Sequence, residues 1–236
     1  DIYKDEDKRI LFAMSKTHRF NKWLASYLKP YLGNIVLEIG SGIGTMALEF
    51  LPVDHYTCSD IDPIHIDKLH NIFMNRPNVD VMQLNIEDER DIKKVQGRYD
   101  TVLCINVLEH LEDHVQVLSN INRLLVKGGK AIVLVPNCPF LYNSFDKVLG
   151  HKRRYKTQQV KDLLKEAGFG ISHLKTFNKI SIIGWFINGT LFKRRHFSRI
   201  QLKCFDLFVW LWKGIDPFLP WPGQSIIAVA EKMENV

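Results

Sequence analysis

Three glycines spaced two apart, Gly40, Gly42 and Gly44, close the run Val36-Leu37-Glu38-Ile39. Glycines at that spacing let a backbone approach a ligand and adopt angles that a β-carbon forbids. The run does not spell the dinucleotide fingerprint, because the sixth position from Gly40 is Thr45, and no Gly-Lys-Ser/Thr follows to cradle phosphates. In isolation its plainer reading is a tight turn that merely packs a helix on a sheet. Asp60, sixteen residues past Gly44, adds a more specific chemistry. A carboxylate at the tip of a neighbouring strand can accept both hydroxyls of a ribose, as the acid of dinucleotide folds does. Further on, Asn85 and Glu87 offer polar groups to an adenine edge, and Ile86 offers an apolar cover for its ring.

A second group of reactive side chains lies around His110 and in the stretch Gly150-His151-Lys152-Arg153-Arg154-Tyr155. His110, His151 and Tyr155 are the candidates for moving a proton. A base is needed only if the nucleophile must shed one. Arg153 and Arg154 carry guanidinium forks suited to carboxylate or phosphate. With Tyr142 and Trp185 they form the candidate substrate set. The plainer reading of the basic stretch is a solvated loop that anchors the next helix.

These residues need a scaffold of alternating elements. Apolar spacing predicts a helix over residues 9–29, with Leu11, Met14, Trp23, Leu24 and Leu28 inward and Pro30 as its stop. Buried strands are expected at Asn34–Ile39, Tyr56–Ser59, Val79–Leu84, Tyr99–Ile105 and Ala131–Val135, with two more at Gly170–Phe177 and Ser225–Glu231. Helices lie between them. One runs from the glycine turn to Leu51, one starts at Asp62-Pro63, one is closed by Gly128-Gly129, and one is capped by Thr157 and stopped by Gly168. The alternation predicts an α/β fold, a doubly wound, mostly parallel seven-stranded sheet, formed as a single domain over residues 1–236. Residues 178–223 interrupt the pattern and read as a helical insertion before the last strand.

Together these motifs resemble those of class I S-adenosylmethionine (SAM)-dependent methyltransferases, in the broad group that includes the ubiquinone and menaquinone methyltransferases. Glu38 with Gly40, Gly42 and Gly44 resembles that family's first motif, E/D-x-G-x-G-x-G, and Asp60 resembles the acid after its second strand. Asn106-Val107-Leu108-Glu109-His110-Leu111 is similar to its segment after the fourth strand, and Leu125–Gly129 to the turn before its fifth. The likeness covers residues 19–177 and, less closely, the last strand. It departs at Val126-Lys127, where the family usually has Lys-Pro, and at Ser41, a place often held by Cys, Thr or Ala. The resemblance implies a Rossmann-like methyltransferase fold, SAM as cofactor and S-adenosylhomocysteine (SAH) as product. It places Gly40 and Gly42 under the methionine moiety and Asp60 on the ribose, and counts Ser41, Gly44 and Ile61 among the cofactor-binding residues. Asn85, Ile86 and Glu87 fall at the adenine, and Asn106 and Val107 near the sulfonium. Glu38 braces the turn, and Arg19 and Phe20 close over the cofactor.

Bulk properties narrow the remaining choices. A net charge of +6 permits an anionic ligand but does not demand one, and no basic stripe interleaved with stacking aromatics points to nucleic acid. The four cysteines show no CxxC or Cys/His metal spacing, so reduced thiols and no metal are expected. The charged stretch Asp1–Ile10 does not resemble a signal peptide. Two apolar runs, Ile180–Phe192 and Ile200–Trp212, are each too short to span a bilayer. Flanked by Lys193-Arg194-Arg195, they fit a helical cap, a lid over an apolar substrate, or a surface resting on a membrane. The expectation is a cytoplasmic monomer or homodimer, at most peripheral to the inner face of a membrane, acting on a small or lipid-like acceptor. A nucleotide-dependent oxidoreductase and a non-catalytic nucleotide-binding module are the rivals, distinguishable by titration with SAM, SAH and NAD.

Overall fold

The computed structural model describes residues 13–233. Seven strands form one sheet: β1 (Ile35–Ile39), β2 (His55–Asp60), β3 (Val79–Gln83), β4 (Tyr99–Ile105), β5 (Leu125–Pro136), β6 (Phe169–Phe177) and β7 (Ser225–Lys232). Their order is β3-β2-β1-β4-β5-β7-β6, with β7 antiparallel to both its neighbours and every other pairing parallel. The helices are α1 (His18–Leu28), α2 (Thr45–Phe50), α3 (Pro63–Phe73), α4 (Glu89–Val95), α5 (His114–Leu124), α6 (Ser144–Val148) and α7 (Thr157–Glu166), then α8 (Ser181–Trp185), α9 (Arg199–Leu207) and α10 (Val209–Ile215) in the insertion.

Side chains that alternate along each strand build a core on each face of the sheet. Leu37, Ile39, Val102, Cys104, Val133 and Val135 pack on one side against Val117, Leu118 and Ile121 of α5 and Val160 and Leu164 of α7. Val36, Tyr56, Cys58, Leu103, Ile132 and Leu134 pack on the other against α1, α2 and α3. The insertion joins this second layer, with Val209 in its core and α9 and α10 resting on α1.

Several local expectations are corrected. The N-terminal helix is not continuous, because the chain turns at Lys16-Thr17 before α1, and Leu11 lies outside the described residues. Gly128-Gly129 does not close α5. Leu125 already pairs with Tyr99, and the two glycines sit inside an irregular start of β5 where the register shifts. Thr157 is the first helical residue of α7, and Lys156 holds the cap position without a side-chain bond. The short α4 was not foreseen; Asp88 starts it by accepting from Arg90 N. Asp62 does cap α3, accepting from Ile64 N with Pro63 in the first turn.

Candidate active site

β1 lies where the strand order reverses, between β2 and β4, so its carboxyl end opens into the crevice where such sheets bind ligands. Gly40 and Gly42 take φ of +69° and +57° there, the left-handed region that favours glycine. A β-carbon on Gly40 would stand 2.6 Å from Val107 Cγ2, so the loop after β4 closes directly onto the turn. One on Gly42 would meet nothing within 4 Å, which leaves that stretch of backbone open. Gly44 instead packs on Leu69 and Phe73 of α3.

The turn is tied to the tip of β2. Ser41 N donates to Ser59 O (2.8 Å), and Ser59 N donates to Ser41 Oγ (3.1 Å). Asp60 spans both tips, accepting from Gly42 N at Oδ2 (2.8 Å) and from Asp62 N at Oδ1 (2.9 Å). His65, which the sequence did not single out, places Nδ1 3.3 Å from Asp60 Oδ1. Burial alone would raise the Asp60 pKa, but His65 and the two backbone donors together bring it below the usual carboxylate value. Asp60 therefore presents a fixed anion at the crevice.

Glu38 is buried behind the turn, with Tyr56 Oη donating to its Oε2 (3.0 Å). Burial raises its pKa to about 7, against an ordinary 4.5, despite the Tyr56 bond. The folded chain thus holds this proton where the unfolded chain has lost it, so stability falls as pH rises from 4.5 to about 7. In Glu38→Gln, denaturant titrations across that window should show the fall reduced by about 3 kcal/mol. An unchanged pH slope would remove Glu38 as a cause.

Other expected cofactor residues are placed differently. Ile86 is only 4% exposed and packs in the core, its carbonyl accepting from Asn120 Nδ2. The exposed apolar side chain at this edge is Ile61, at 60%. Asn85 spends its side-chain oxygen on Glu87 N within its own turn, while Glu87 is exposed. Asn106 leaves β4 with φ of +53°, its N–H donating to Leu134 O. Phe20 packs on Trp23, Phe177 and Phe205, and its N–H donates to Asp206. Arg19 donates to Leu207 O. Both are committed to the insertion rather than to closing over the turn.

The second group converges beyond β4 and β5. His151 Nδ1 lies 2.9 Å from Asp146 Oδ1, and Arg154 Nε donates to the same oxygen (2.8 Å). Asp146 also closes the capping box of α6, accepting from Asn143 N. That Asn-x-x-Asp spacing is the one trace of Asp146 in the sequence, and it gives no hint of His151. Arg154 is not a free fork. Its Nη1 donates to Asn137 O (2.9 Å), and its guanidinium lies 4.8 Å from the Trp185 ring centroid. Trp185 is itself packed on Phe145 and Phe197. Arg153 pairs with Glu112 at the surface. Tyr155 is wholly buried, with its hydroxyl donating to Leu108 O, and burial pushes its pKa well up, so it is a core residue and not a proton carrier. Half-exposed Tyr142 donates to His151 O.

Glu109 is fully buried, and among the described residues neither of its oxygens has a hydrogen-bond partner. Burial raises its pKa to about 7, and His151 Nε2 stands 3.7 Å from Oε1. His110 meets His151 edge to face, with Nδ1 on Gly150 O (3.2 Å), and burial lowers its pKa to about 4. One ligating atom each from Glu109, His110 and His151 falls within 4.8 Å of the others. Such a grouping could hold a divalent ion, which the cysteine and histidine spacing gave no reason to expect.

Residues 37–131, which hold the glycine turn, Asp60 and the β4 tip, match the methyltransferase domain family. With the sheet order and helices, this match supports a class I SAM-dependent methyltransferase. Among its relatives, the ubiquinone biosynthesis O-methyltransferase of Erwinia tasmaniensis is 28% identical over 48% of this chain, and the match spans only about half (48%) of that relative. The protein of the same description from Escherichia coli O157:H7 is 26% identical over 84% of this chain and 80% of its own length. In fold, the chain is similar to a putative sarcosine dimethylglycine methyltransferase from Galdieria sulphuraria, with TM-score 0.62, 14% identity, and 92% and 87% of the two chains covered. It is also similar to the trans-methyltransferase CalH in complex with SAH, with TM-score 0.61, 17% identity, and 93% and 59% covered.

Proposed function

We propose that this chain transfers the methyl group of SAM to an oxygen nucleophile on a small, lipid-like acceptor. The observation that carries the reading is the pair formed by the open backbone at Gly42 and the Asp60 carboxylate bonded to it. Asp60 holds the ribose hydroxyls, Ile61 lines the adenine side, and the Gly40–Gly42 backbone passes under the amino-acid end. Bound SAM supplies a methyl carbon already activated by its sulfonium. The chain's own contribution is to align the acceptor and exclude water. His151, oriented by Asp146, takes the proton that a hydroxyl nucleophile sheds. Oxygen is favoured over nitrogen or carbon because the relatives that cover most of the chain are described as O-methyltransferases.

Calorimetric titration with SAH tests the cofactor half, and NAD serves as the control. Asp60→Ala should weaken SAH binding by roughly 1–3 kcal/mol, about 5- to 150-fold. Unchanged affinity would remove Asp60 from the ribose. SAH binding with no turnover on hydroxylated, nitrogenous or carbon acceptors would favour a non-catalytic module.

The insertion supports peripheral membrane contact by this enzyme. Leu191 and Phe192 are exposed just before Lys193-Arg194-Arg195, and Trp210 and Phe218 are 70% and 86% exposed. Among the described residues no helix is long and apolar enough to cross a membrane. Flotation with anionic vesicles should carry the protein upward, and a protein left at the bottom of the gradient counts against this contact.

A further inference from the structure

A cavity of about 1170 Å³ lies between residues 13–19 and the stretch 196–207. Of the residues assigned to the cofactor, only Arg19 lines it, and Arg19 donates to Leu207 O. Met14, Leu202 and Leu207 give it an apolar wall. Around that wall stand His18, His196, Arg199 and Lys203, and none of these four forms an ion pair among the described residues. Asp206, the one acid among the described lining residues, accepts from Phe20 N (3.0 Å). Arg199 and Lys203, one turn apart on α9, place two positive charges beside that apolar wall, and such a pair draws an anion. The first turn of α9, capped by Ser198, adds its positive pole on the same side.

The size of the cavity selects among anions. Ligand pockets run to about 300–1,000 Å³, and a lone phosphate would leave most of this space and all of its apolar wall unused. We infer that the cavity binds a single-chain anionic amphiphile, an alkyl chain bearing a phosphate or carboxylate head, with Arg199 and Lys203 on the head and Leu202 and Leu207 along the chain. The site goes beyond methyl transfer and stands or falls separately from it.

Dodecyl phosphate, kept below its micellar concentration, is the probe, titrated into the whole chain by calorimetry. One equivalent should bind, and dodecanol and inorganic phosphate should each bind at least about tenfold more weakly. Arg199→Ala with Lys203→Ala should weaken dodecyl phosphate by about tenfold or more while SAH affinity stays unchanged. If that pair of changes disturbs folding, Leu202→Glu, which puts a negative charge on the chain-binding wall, should give the same loss. Vesicles of phosphatidylcholine and phosphatidic acid identify the source of the head. Release of the bound probe assigns it to a bilayer lipid, retention to a free amphiphile, and both support the site. Equal binding of dodecyl phosphate by wild type and variants, or inorganic phosphate binding as tightly as dodecyl phosphate, overturns it.

Discussion

Arg154→Met should lower the unfolding free energy by about 3–5 kcal/mol, whereas Arg153→Met should leave it unchanged within error. The two arginines are adjacent in the chain and opposite in setting. The Arg154 side chain is 1% exposed and Asp146 fully buried, so removing the guanidinium strands a carboxylate in the core. Only His151 and the Asn143 N–H would remain to stabilise that charge. Arg153 faces solvent against an exposed Glu112, where screening leaves such pairs little net effect. For a chain of this size the loss corresponds to a fall in Tm of roughly 6–20 °C. Chemical denaturation of both variants checks it. Equal stabilities would show that the Asp146 cluster does not hold the loop after β5.

The second large effect concerns turnover. His151→Ala should reduce kcat by about 10²- to 10⁴-fold, the usual range for loss of a positioned base, with SAH affinity retained. The assay is SAH release with a hydroxylated, alkyl-bearing acceptor that the wild type turns over. The geometry behind the expectation is the Asp146 carboxylate on Nδ1, which fixes the ring and leaves Nε2 to accept a proton. Glu109, kept largely protonated by burial to about pH 7, adds no full negative charge beside Nε2 at neutral pH and below. An unchanged kcat would reduce His151 to a structural partner of Asp146, and a parallel loss of SAH binding would point to damage in the scaffold rather than to chemistry.

The split between what was legible in the chain and what was not follows the reach of each interaction. Strands β1, β2 and β4 and the start of α3 were readable because their signals are local: short apolar runs, glycines at a turn, and Asp62-Pro63 at a helix start. The Gly40–Gly44 turn and Asp60 were readable for the same reason, each being set by its own strand end. The burial of Ile86 was not legible because its neighbours in sequence are polar loop residues, while Asn120, far along the chain, holds its carbonyl in the core. Gly128-Gly129 misled because a glycine pair fits a helix end and a bulged strand start equally well.

The sequence by itself determined the alternation of strands and helices, the bare turn, and the acid beside it, all properties of residues close along the backbone. Only the tertiary structure decided that Arg154 turns inward while Arg153 turns out, that Asp146 holds His151, and that Glu109 lies beneath both. Those contacts arise because β4 and β5 are neighbours in the sheet, so the loops leaving their carboxyl ends meet at one edge. Burial there fixes the partners and protonation of groups whose types alone leave both open.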